Sequence, residues 1–315
     1  MLPANPAVDL YVAGYIRPAN SNYIAAYWKN GTLVTLGDSS KTSSVTAIAV
    51  VGNDVYAAGY VLNSKNIAIA TYWKNGVQTF LSDTVSGSIA DAIVVQGDKV
   101  YISGTSFNPQ VSYGGGDEAT YWLNGVAVQL PDHLTGSEGY SIAINGNDVY
   151  VAGTIDDEAC LWTNGARSTP VTGQLMSNIV AVACDGANVY MAGNTIPTSV
   201  YTATFWKNGV SILLGNSTEY SYTSAIALQG TNVFVSGVTA GNSQNTLSAV
   251  YWKNGQLIRL TDGSTLANAA GIAINGSDVY VCGNMSNHAV LWKNGQVSTI
   301  SSTGTISTMA LVPRM

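Results

Sequence analysis

Seven segments of this chain end alike: AYWKNG at Trp28, TYWKNG at Trp73, TYWLNG at Trp122, CLWTNG at Trp162, TFWKNG at Trp206, VYWKNG at Trp252 and VLWKNG at Trp292. They hold every tryptophan of the 315 residues and lie 45, 49, 40, 44, 46 and 40 residues apart. Between them runs a second motif: GNDVYAAG ending at Gly59, GDKVYISG at Gly104, GNDVYVAG at Gly153, GANVYMAG at Gly193, GTNVFVSG at Gly237 and GSDVYVCG at Gly283. DLYVAG, ending at Gly14, is a seventh copy without its leading turn. Self-similarity at a 40–50-residue period marks a repeat architecture.

Each repeat reads as four short strands. Strand A is the apolar run before the glycine turn, strand B the Val-Tyr-Val-Ala-Gly run, strand C ends at the Trp, and strand D follows the Asn-Gly. Alternating β-branched and aromatic residues bounded by Gly, Asn and Asp support strands throughout, and no long 3.6-residue periodicity supports a helix. Asn-Gly suits a type I′ hairpin, which needs positive φ at both central residues. Four strands repeated seven times imply an all-β, seven-bladed β-propeller of four antiparallel strands per blade. It is expected to form a single domain, 1–315. The chain enters at strand B, and Ile306–Val312 has the strand A pattern. The first blade should therefore be shared between 8–37 and 305–312, leaving Pro313-Arg314-Met315 as a tail. Each Trp is expected to pack between neighbouring blades, a ring of sugar-stacking platforms being the competing reading.

Charged residues make up only 10% of the chain, with a net charge of −6 and a pI near 4.7. An acidic chain without a basic face argues against nucleic acid as a partner. Apolar runs of five to seven residues are too short to span a bilayer. Residues 1–8 carry no leader, yet abundant Gly, Ser, Thr, Asn and Tyr point to a secreted or cell-surface protein. Cys160, Cys184 and Cys282 lack CxxC spacing and read as free thiols in strands. The HAVLWKNG of His288–Gly295 resembles the bacterial extracellular HAF repeat, whose units carry His-Ala-Phe-Leu-Trp-x-x-Gly. Only this repeat keeps the His, and the likeness is kelch-like in outline. The resemblance implies a secreted propeller with no defined activity.

Following the chain through a blade puts both tight turns, A–B and C–D, on one face and both variable connections on the other. Function tends to sit on variable loops over a rigid scaffold, so the loop-rich top face is the place to look. Between residues 100 and 166 stand eight acids and no Lys or Arg, while the remainder is net positive by two. The candidate ligand-binding residues are Asp91, expected to point into the central channel, with Asp117, Glu118, Asp132, Glu138, Asp156, Asp157 and Glu158. Tyr113, Tyr140, Tyr220 and Tyr222 join them as rings able to stack on sugars. Glu118 and Glu158, at equivalent places on adjacent blades, suggest a carboxylate pair for acid–base chemistry. The functional expectation is a monomeric ligand-binding module for glycan or protein, without catalysis. The alternative is a divalent-metal-dependent hydrolase or lyase using carboxylates of blades three and four. No cofactor is expected apart from calcium, which such carboxylates suit.

Overall fold

The computed structural model describes residues 7–83, 86–107, 116–131, 136–169, 177–242 and 246–314. Among them are 28 strands and no helix, hence no helix long and apolar enough to cross a membrane. The strands form seven four-stranded antiparallel sheets, each ordered A-B-C-D. Strand A of blade one is the C-terminal strand Gly304–Pro313, paired with Val8–Ile16 from Val8 opposite Pro313 to Ile16 opposite Gly304. The ring therefore closes as the repeat count requires.

The C-terminal tail is more than an overhang. The Arg314 amide donates to the Ala7 carbonyl (2.8 Å) and its Nε to Asp9 Oδ1 (2.6 Å). Lys29 Nζ lies 3.4 Å from the other Asp9 oxygen. Residues beyond the last strand thus clamp the joined ends.

Seven apolar clusters hold the ring, one at each junction between blades. Trp122 of blade three, for example, packs on Tyr56, Ala70 and Leu81 of blade two, and Trp252 of blade six on Tyr190, Phe205 and Leu214 of blade five. No tryptophan is more than 3% exposed, which excludes the ring of sugar platforms. Each buries roughly 150–250 Å², on the order of 4–6 kcal/mol gross at ~25 cal/mol per Å². Conformational entropy opposes most of that gain. Cys160 and Cys282 fill such positions as buried side chains, and Cys184 is half-buried.

The bottom face is uniform because one residue does two jobs. Asn30 takes φ 49° ahead of Gly31 at φ 85°, as a type I′ turn requires. Its Oδ1 accepts from the Leu10 amide of strand B (2.9 Å), a bond repeated by the corresponding Asn in all seven blades. The Lys of WKNG lies over a strand B aromatic ring, as Lys74 does over Tyr56 at 5.1 Å while pairing with Asp54 at 3.2 Å. Blades three and four carry Leu123 and Thr163 there instead.

Strand A bears a β-bulge in every blade. Pairing jumps from Ala90 opposite Gly104 to Ala92 opposite Ser103, leaving Asp91 unpaired between them. This explains the glycine that the repeat motif seemed to place at the end of strand B. It lies inside the strand instead, as Gly104 does within Lys99–Phe107. A Cβ on Gly104 would meet the Ile89 carbonyl oxygen at 2.0 Å, so only glycine admits the bulged strand.

Candidate functional site

A bulge residue is re-aimed relative to its neighbours, and here the seven converge on the ring axis. Thr46, Asp91, Tyr140, Val180, Ser224, Ala270 and Ser307 line an axial channel of about 300 Å³. Asp91, expected to point into the channel, is the only carboxylate among those lining residues. It is half-buried and lines the channel. Burial, and then the nearby Glu138 charge, push its pKa up to about 8. Among the described residues nothing donates a hydrogen bond to it. Its neighbour in the ring, Thr46, has its one hydroxyl proton taken within the fold, shared between the Ala58 and Ala90 carbonyls at 3.0 and 2.6 Å.

Beside the channel mouth lies a cleft of about 290 Å³ spanning blades three to five. Asp117, Glu138, Asp156 and Asp157 line it, and no Lys or Arg does. Tyr140 lines both cleft and channel, so the two cavities adjoin at this residue. Its hydroxyl donates to Glu138 Oε2. Burial raises the Glu138 pKa, with Asp117 and Asp157 adding like-charge repulsion, and burial raises that of Asp117. Carboxylates held together without a cation resist ionising, which is the state a bound cation relieves. On the far wall Tyr201 contacts Tyr220 and Tyr222 edge-on, with ring centres 6.3 and 6.2 Å apart. Asn178 joins wall to trio by donating to the Tyr222 hydroxyl (3.0 Å).

The proposed Glu118–Glu158 pair does not form a site. Glu118 is 3% exposed and accepts from Gln129 Nε2 at 2.9 Å, whereas Glu158 is exposed; neither lines the cleft. Both stand four residues before a Trp, but their strands begin differently. In blade four the B–C connection is a two-residue turn, Asp156-Asp157, with both φ positive (48° and 64°), and strand C starts at Glu158. Blade three has a long connection, and strand C already begins at Asp117. Position relative to the Trp therefore does not fix exposure; loop length does. Tyr220 and Tyr222 stay outside the cleft lining, while Tyr113 and Asp132 lie outside the described residues. Among the described residues no group of three or more His, Cys, Asp or Glu is arranged to hold a metal ion.

Thr154, Ser177 and Asn178, none of them among the expected residues, also stand in the cleft wall. Ser177 carries a signal: a serine recurs fifteen residues after the Trp at Ser43, Ser88, Ser137, Ser177 and Ser221. Each accepts from a strand C amide of the preceding blade, as Ser177 Oγ does from the Ala159 amide at 2.9 Å. The bulge residue likewise falls eighteen residues after the Trp in six repeats.

No protein-family model and no curated protein matches the chain. Solved structures with the same architecture do. Acylaminoacyl peptidase from Pyrococcus horikoshii is similar at 11% identity and a TM-score of 0.57, over 93% of this chain and 50% of that one. The β-propeller domain of the Trilobed protease from Pyrococcus furiosus, described as an open velcro, gives 10% identity and 0.57 over 95% and 94%. TolB from Acinetobacter baumannii gives 11% and 0.52 over 99% and 68%. The chain spans half the length of the acylaminoacyl peptidase, and likeness at such identities establishes the fold. These neighbours overturn the expectation of a non-catalytic glycan- or protein-binding module, because propellers like this one occur within peptidases. The metal-dependent hydrolase or lyase set beside it has no ligand set among the described residues.

Proposed function

We propose that the chain is a peptidase-related propeller that handles peptide substrate at the acidic mouth of its axial channel. The observation that carries this reading is the acidic cleft lying next to the axial channel, with Tyr140 in the wall of both. A cleft set beside an axial passage suits an extended chain better than a compact ligand. Its four carboxylates with no base select cationic segments, and the fold is shared with two peptidases. In this reading hydrolysis of the amide bond belongs to the peptidase that the propeller serves.

Fluorescence anisotropy with labelled basic, neutral and acidic peptides tests it. The basic peptide should bind most tightly, and its affinity should fall as salt shortens the Debye length from about 30 Å at 0.01 M to about 8 Å at 0.15 M. Glu138→Gln and Asp157→Asn should each weaken it severalfold. Equal binding of acidic and basic peptides, or no peptide binding at low salt, would overturn the reading.

A further inference from the structure

We propose that Asp91 of the channel wall, Glu138 of the cleft wall and Tyr140, which lines both, form a binding site for a primary ammonium group, its carrier being the amino terminus or a lysine side chain of a peptide. The identity of the carrier rests on the peptide reading above; the ammonium site does not. An alkylammonium has three N–H donors and no acceptor, so a matching site offers acceptors only. Both Asp91 oxygens lack donors among the described residues, and Glu138 has one oxygen taken by the Tyr140 hydroxyl. The Tyr140 oxygen, donating its proton to Glu138, keeps its lone pairs for a further donor. Beyond them Val180, Ala270 and Met309 give the channel aliphatic wall for a methylene stem. Calcium, which takes six to eight oxygens, finds only two carboxylates at this point.

The site is built by the bulge. In six blades the same re-aimed position carries Thr, Tyr, Val, Ser, Ala or Ser, so a carboxylate there is no requirement of the fold. The ionisable groups facing Asp91 are Glu138 and Tyr140 on the blade-four side. On the blade-two side stands Thr46, and across the channel Val180, Ser224, Ala270 and Ser307 carry no charge. No cation among these lining residues competes for the Asp91 carboxyl. A bound ammonium favours its ionised form, so at neutral pH binding releases the proton that burial keeps on Asp91.

Calorimetric titration of the intact protein with n-butylamine tests the site, with n-butanol and tetramethylammonium as controls. Butylamine should bind in the millimolar range, and both controls at least tenfold more weakly. Repeating the titration in buffers of different ionisation enthalpy should show a fraction of a proton released at pH 7 and almost none above pH 9. Asp91→Ser, which borrows the residue of blades one and six and so keeps the fold, should weaken butylamine at least tenfold and abolish proton release. Equal binding of butylamine to the wild type and to Asp91→Ser would overturn the site, as would tetramethylammonium binding as tightly as butylamine. A basic peptide that binds both proteins alike, N-acetylated or not, overturns the ammonium site and leaves the peptide reading standing. Butylamine binding that needs Asp91, with no peptide binding at all, supports the site and removes the reading.

Discussion

Two aspartates show what this scaffold does with a negative charge. Asp9, at the ring closure, is surrounded by donors: Asn30, Arg314 and Lys29 hold its pKa down to about 2. Asp91, at the channel wall, is surrounded by protein that donates nothing, and its pKa is pushed up to about 8. Both sit on the innermost pair of strands of a blade, so architecture does not explain the difference. The closing strand and the Asn-Gly turn bring their own donors to Asp9, since every blade repeats part of that clamp. The channel ring brings none, because its members come from seven separate bulges with unrelated side chains. A carboxylate that serves the fold is neutralised within the fold; one left without donors is available to a ligand.

The largest effect should come from closing the gap that lets the bulge form. Gly104→Ala sets a Cβ against the Ile89 carbonyl, and Gly14→Ala does the same to Thr305 at the ring closure. Overpacking typically costs about 1–3 kcal/mol; clashes with backbone belong at or above the upper end. Thermal unfolding should show similar losses for the two, since the glycine serves the scaffold in both regions. A Gly104→Ala protein that melts like the wild type would show that the bulge does not depend on this contact.

Next comes the pH dependence of Asp91. A carboxyl whose folded pKa lies above its unfolded value stabilises the fold fully below pH ~4, and that contribution is lost as pH rises to about 8. The slope is at most about 1.4 kcal/mol per pH unit. The melting temperature of Asp91→Ser should therefore gain on that of the wild type from pH 4 to 8 and run parallel above pH 9. Glu138→Gln, which removes the neighbouring charge, should bring the Asp91 titration down towards neutral pH in a carboxyl-resolved NMR titration. A difference in melting temperature that stays flat across this range would remove the contrast between the two aspartates.

The contrast between scaffold and site also governs what could be read from sequence. Blade number, strand order and ring closure were legible because each repeat states them locally, in an Asn-Gly turn or a Trp flanked by apolar residues. The role of the strand B glycine was not, because its reason lies in a carbonyl fifteen residues away. Asp91 was expected in the channel, and its place in the repeat also foretells the bulge once all six spacings from the Trp are compared. Glu118 and Glu158 looked equivalent by the same count, yet their exposure depends on where strand C begins. What the loops meet was not legible at all, because the turns, tryptophans and glycines that identify the propeller are its scaffold and say nothing of a partner.

The smallest effect, and the sharpest on the Asp9 side, concerns the residue beyond the last strand. Arg314→Ala removes the donor that bonds Asp9 Oδ1 but leaves Asn30 and Lys29 in place. The pair is at the surface, where ion pairs contribute little and salt screens them, so a loss of about 1–2 °C in melting temperature is expected at pH 7. Asp9 has a lowered pKa, so its stabilising contribution is present above pH ~4 and fades as pH falls towards 2. The melting curves of Arg314→Ala and the wild type should accordingly converge below pH 3, and also in 1 M salt at pH 7. A loss that persists under both conditions would mean that the Arg314 side chain holds the ring through its packing rather than its charge, since the backbone bond to Ala7 survives the substitution.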